Sequence, residues 1–242
     1  MPSGFSFLFT AGARPRADAV AQVAARAAEL PGFAISHAPA GDQGWLEVIQ
    51  TGLTFDLTGL APGKPAPAPR IAHRFGLPAD ASLAGEAVAL APTTHLAGGE
   101  RMLPVVRAGA AIAAALAALD GIAAVCWEPA RSAMAPAIFI AAIRGWLGGG
   151  AFPALGLTAL ARNAQGAIES EGLAFFIGQE LTIAPGTCDS PREEARLATR
   201  LIHQLVESGH LDDAIDIGGV DGERLRIAPQ GDKTMLMVCR PR

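Results

Sequence analysis

Tyrosine is absent from this 242-residue chain, which removes any acid–base chemistry that depends on a phenol. Charge is also sparse: 17% of residues are charged, and the formal net charge is −4. The 19 lysines and arginines are scattered. No basic run could follow a phosphate backbone and no basic stretch is interleaved with aromatics, which argues against a nucleic-acid partner. Cysteine is limited to Cys126, Cys188 and Cys239. They are far apart, form no CxxC pair and read as free thiols in a reducing cytoplasm. Long apolar runs are missing as well. Val105 to Leu119 falls short of the ~20 residues that cross a bilayer, is interrupted by Arg107 and ends at Asp120-Gly121. Phe5 to Phe9 precedes Arg14-Pro15-Arg16, the reverse of a signal peptide's order. The expectation is a soluble cytoplasmic protein with no membrane partner.

Signature motifs are lacking too. Gly145 to Gly150 reads GWLGGG, but no Lys-Ser/Thr follows, so it is no phosphate-binding loop. Gly218 to Gly222 fails the dinucleotide pattern on the same grounds. There is no GxSxG elbow. Cys126 lies in an apolar strand pattern where burial suppresses the thiolate, and Cys188, next to the Ser190 helix start, has no histidine close in sequence. His37, His73, His95, His203 and His210 are widely separated, no HExxH occurs, and Asp212 to Asp216 lacks the alternation and glycine of a calcium loop. No cofactor, metal site or catalytic residue is expected, and the chain leans away from being an enzyme.

What is present is a pattern of packing. Half of the residues are apolar, enough for a core in one large domain or two small ones. Phe5, Phe7 and Phe9 alternate with Ser6, Leu8 and Thr10, a strand with two distinct faces. A helix is predicted over Arg16–Leu30, stopped by Pro31-Gly32, followed by short strands at Phe33–Ser36, Trp45–Gln50 and Leu53–Thr58. Residues 61–82 carry Pro62, Pro65, Pro67, Pro69 and Pro78, which forbid a continuous helix or central strand. They read as a linker or surface loop between an N-terminal β-α-β-β-β portion (1–60) and a main α+β portion (83–242), all within one compact unit.

The second portion predicts strands at Glu86–Ala91 and Ile122–Trp127 around a helix at Val105–Leu119. A helix at Pro136–Leu147 and paired strands at Leu155–Ala161 and Leu173–Ile183 follow. Ser190-Pro191-Arg192-Glu193 has the form of a capping box with proline at the first helical position. Leu197, Leu201, Ile202, Leu205 and Val206 then form an apolar stripe, and a C-terminal hairpin turns at Pro229 to Asp232. The fold class is α+β, with mainly antiparallel sheets and about four helices packed to one side. Both portions begin strand-helix-strand, which is compatible with two similar β-α-β halves.

Glu128 follows an apolar strand and Glu180 interrupts one, so each has a raised pKa if desolvated. With Trp127 and Arg131 they are the candidate ligand-binding residues. Two stretches also carry a resemblance. Trp127-Glu128-Pro129 with Met134-Ala135-Pro136-Ala137-Ile138-Phe139, and Glu171-Gly172-Leu173 through Gly178-Gln179-Glu180-Leu181-Thr182-Ile183, resemble motifs of the bacterial domain-of-unknown-function 4261 family. The similarity runs from about Glu86 to Gly231 and includes Asp221-Gly222-Glu223. It implies an α+β fold and brings no reaction and no catalytic residues. The leading functional expectation is a non-catalytic protein-interaction module, immunity-like or chaperone-like, binding another protein or itself as a dimer. A free apolar strand at Phe175–Ile183 would serve the dimer. The alternative is a small-molecule-binding protein or an enzyme using isolated carboxylates.

Overall fold

The computed structural model describes residues 4–26, 32–40, 43–219 and 222–241. The fold is α+β, and the chain divides into two compact units, Met1–Gly150 and Ala151–Arg242. The division falls at Gly150, not in the proline-rich segment, which belongs wholly to the first unit. The reason is hydrogen bonding: strands on both sides of that segment interleave in one sheet.

The first unit contains β1 (Phe5–Phe9), α1 (Ala17–Arg26), β2 (Ala34–His37), β3 (Trp45–Gln50), β4 (Leu53–Thr58), β5 (His73–Phe75), β6 (Glu86–Pro92), α2 (Leu103–Leu116), β7 (Ile122–Trp127), β8 (Ser132–Met134) and α3 (Pro136–Leu147). The end predicted for the first helix, Leu30 with Pro31, lies outside the described residues. The eight strands run in the order β2-β3-β4-β6-β1-β7-β8-β5. Every pairing is antiparallel except β5 with β8. Strand β1 is central and buried at all positions, so both of its faces are covered.

The cover differs between faces. On the Phe5 side lie helices: Phe5 meets Phe139 of α3 edge-on at 5.7 Å. Helix α2 brings Gly109 so near the sheet that a methyl there would stand 3.1 Å from Phe55. On the Leu8 side the sheet presents Leu8, Ala87, Ala124, Cys126 and Ala133, packed against Ala66, Ile71 and Leu77 of the proline-rich segment and Leu83 just beyond it. Those sheet side chains are mostly small, and an irregular strap without helical girth can lie close on them. Ala66 donates to the Ala87 carbonyl (2.9 Å), and β5, not anticipated from the prolines, forms the edge of the sheet opposite β2. The segment is therefore a strap over the second face of the sheet, and its prolines sit where no ladder bond is needed.

The second unit contains α4 (Ala154–Leu157), β9 (Ala159–Arg162), β10 (Ile168–Glu171), α5 (Ala174–Ile177), β11 (Glu180–Ile183), α6 (Pro191–Ser208), β12 (Ile215–Gly218), β13 (Arg224–Gln230) and β14 (Met235–Cys239). Its sheet order is β12-β13-β14-β11-β10-β9, with β11 and β14 parallel. The predicted hairpin is present as β13 and β14, and the Ser190 hydroxyl caps α6 by accepting from the Glu193 N–H at 3.3 Å. Leu197, Leu201 and Ile202 of the stripe are essentially fully buried. Two predicted strands are corrected. Leu155–Ala161 and Leu173–Ile183 each begin as a helical turn before the strand: α4 ends where Thr158 turns extended, and α5 ends where Gly178 turns left-handed (φ 78°). The dimer edge expected at Phe175–Ile183 has no free side, since β11 is paired with β14 and β10.

Candidate functional site

Of the four residues singled out in the sequence, Trp127, Glu128 and Arg131 belong to the first unit and Glu180 to the second, and Trp127 and Glu128 face opposite sides of the first unit's sheet. Trp127 is 3% exposed, its ring 4.5 Å from that of Phe5 on the helical face of the sheet. The void it lines there, with Phe55 and Gly109, holds about 10 Å³, room for one water and no ligand. Arg131 adopts a left-handed conformation (φ 45°). Its carbonyl accepts from Ala72 (2.7 Å) and His73 (3.1 Å), which pins the strap beside β8.

Glu180 belongs to the second unit and is occupied by the backbone. Its carboxylate accepts from the N–H groups of Gly172 (2.8 Å), Leu173 (3.2 Å) and Ala174 (3.1 Å), and from the Ser170 hydroxyl. Burial raises its pKa, and the hydrogen bonds from Ser170, Ala174, Gly172 and Leu173 pull the other way. Gly172, with φ 93°, makes the turn that aims these donors inward. The glycine-to-glutamate spacing of this motif thus encodes a staple between the start of α5 and β11.

Glu128 is different. It follows β7 on the strap side of the sheet, its N–H bonded to the Gly4 carbonyl (3.2 Å) and its carboxylate 3.5 Å from the donating Ser6 hydroxyl. It opens on a cleft of about 310 Å³ shared with Ser6, Asp56, Thr58, Pro67 and Thr94. Register explains the assembly. Ser6 lies opposite Ala89, and Ala89 lies opposite Thr58. One pleat further, Asp56 lies opposite Ala91. Alternate residues of β4, β6 and β1 therefore present hydroxyls and an acid over a floor of alanines, where small side chains leave a hollow. Burial raises the pKa of Asp56, and Glu47 adds to the rise while His95 opposes it. Burial likewise raises Glu128, against the Ser6 hydroxyl and the charge of Arg70.

Asp56 and Glu128 stand three strand spacings apart in the order β4-β6-β1-β7, about 14 Å at the backbone. That is wide for two carboxyls to share a proton or to flank one scissile bond. The arrangement suits holding both ends of a ligand. Sequence reading missed Asp56, Ser6, Thr58 and Thr94, because a polar residue at every second strand position is also the mark of a face in water. Among the described residues, no cluster of three or more His, Cys, Asp or Glu could hold a metal ion. Also among them, no helix is long and apolar enough to cross a membrane.

No family model matches the chain, and no match is found among curated proteins or solved structures.

Proposed function

We propose that the first unit binds a small cationic ligand, an amine, in the cleft between Asp56 and Glu128. One observation carries this reading: two half-buried carboxyls, both raised by desolvation, border a cleft of about 310 Å³ whose remaining polar groups are hydroxyls. That volume lies at the lower end of small-molecule sites. An ammonium group placed against each carboxylate offsets the desolvation of both partners, and the hydroxyls orient what lies between.

The test is calorimetric titration with 1,5-diaminopentane, using 1,5-pentanediol as an uncharged control of equal length. The diamine is expected to bind and the diol not to bind, with Asp56→Asn and Glu128→Gln each weakening the diamine at least tenfold. Equal behaviour of the two probes, or indifference to both substitutions, sinks the reading. The pH dependence has a definite sign. Both carboxyls are raised, so they take up protons at higher pH than exposed carboxylates. Amine affinity is therefore full above that raised range and falls as pH drops through it.

A protein-interaction role is a second reading, favoured by β2. It is one of the two edge strands of its sheet, and Ala34, Ser36 and His37 are exposed. Such an edge accepts an added strand from a partner. Capture experiments from a native extract should recover a stoichiometric partner, lost on Ser36→Pro; recovery of none discards this reading. Membership of the domain-of-unknown-function 4261 family is likewise a proposal. It rests on the Trp127–Phe139 and Glu171–Ile183 motifs and assigns no reaction.

A further inference from the structure

The second unit carries an uneven distribution of positive charge. Arg162 pairs with Glu194, Arg224 and Arg226 with Asp216, Lys233 with Asp212, and Arg240 with Asp189. Arg192, Arg196 and Arg200 have no carboxylate partner among the described residues. All three lie on α6 at intervals of four, so they share one face of the helix. Like charges at that spacing destabilise a helix, and Arg192 in the first turn also opposes the helix dipole. Helix stability alone would not select this arrangement.

The same face borders a wide, open cleft of about 550 Å³, walled mainly by apolar atoms of Phe152, Ala195, Thr199 and the arginine stems, with His203 at its side. The three cations are held differently. Arg200 is anchored by donating to the carbonyls of Gly218 and Gly219. Arg192 and Arg196 are exposed, and no hydrogen bond or ion pair within the described residues engages their guanidinium groups. His203 accepts the Phe152 N–H on Nδ1 (3.1 Å), so in its neutral form Nε2 carries the proton. Arginine gives the cleft a positive charge that persists at any working pH, and its planar fork matches the oxygens of phosphate.

We infer that this cleft binds a small phosphomonoester, with Arg192 and Arg196 clamping the phosphate and the body of the ligand lying along Ala195 and Thr199. The phosphate dianion answers the adjacent unpaired charges, and a cleft of about 550 Å³ has room for a small organic molecule attached to it. The site is independent of the amine cleft, being built wholly within the other unit.

The experiment titrates the full chain with glycerol 3-phosphate at constant ionic strength, because screening by added salt would otherwise imitate specificity. Saturable binding is expected. It should weaken at least tenfold in Arg192→Gln/Arg196→Gln and remain unchanged in Arg224→Gln, which removes a surface arginine already paired with Asp216. Circular dichroism checks that both variants keep the helix content of the parent. Absence of saturation, equal weakening in the two variants, or tighter binding of an oligoglutamate peptide than of the phosphomonoester would overturn the assignment, the last in favour of a protein partner.

Discussion

Glu180 shows how a single residue's meaning depends on what faces it. In the sequence it is an acid inside an apolar strand, and in the structure it is a carboxylate satisfied by three backbone N–H groups and a hydroxyl. Replacing it with alanine leaves those donors without an acceptor, at a cost of about 3 kcal/mol. Urea unfolding of Glu180→Ala should show that loss, while Glu180→Gln, which sets an amide N–H against backbone donors on one side, should recover only part of it. The thiols give a second prediction at this scale. Burial pushes Cys126 up to about 12, reinforced by the charge of Glu128, and burial likewise raises Cys188, helped by Glu223, Glu194 and Glu193. The native protein at pH 8 should therefore yield only Cys239, which is partly exposed, to rapid alkylation. Mass spectrometry should find Cys126 and Cys188 labelled only after unfolding.

Among the elements, the strap carries the largest difference between expectation and structure. Its prolines mark a segment that is neither helix nor inner strand, and that much is visible locally. What holds it to the sheet is not local. Arg14, nearly buried, donates to the carbonyls of Gly59 (2.6 Å) and Gly63 (2.9 Å), and its Nε lies 3.3 Å from Glu86 in ion-pair contact. One side chain from the loop after β1 thus gathers both ends of the strap. Arg14→Met is expected to lower stability by about 2–3 kcal/mol, since charge-assisted bonds to partly buried carbonyls are lost. It should also open residues 61–85 to proteolysis that the parent resists. Helix α2 makes the converse point. Its alanine run leaves the buried face undefined on paper, and Gly109 marks where it comes closest to Phe55. Gly109→Val should destabilise by roughly 1–3 kcal/mol through overpacking, measured by thermal or urea unfolding.

At the scale of the whole molecule, each sheet is closed within its own unit, β1 to β8 in the first and β9 to β14 in the second. Residues 1–150 and 151–242 expressed separately should each unfold cooperatively; failure of both to fold would show that the units depend on one another. The sequence by itself determined the α+β class, the Phe5–Phe9 strand, the Ser190 helix cap and the final hairpin. Each rests on periodicity or on residues within a few positions of one another, where propensity and sterics act directly. Only the tertiary structure decided that the proline-rich segment covers a sheet, that Glu180 is a staple, and that Ser6, Asp56 and Glu128 border one cleft. Strand order and register bring these groups together across more than a hundred residues of chain, and alternation along a strand reports that two faces exist without reporting what covers either.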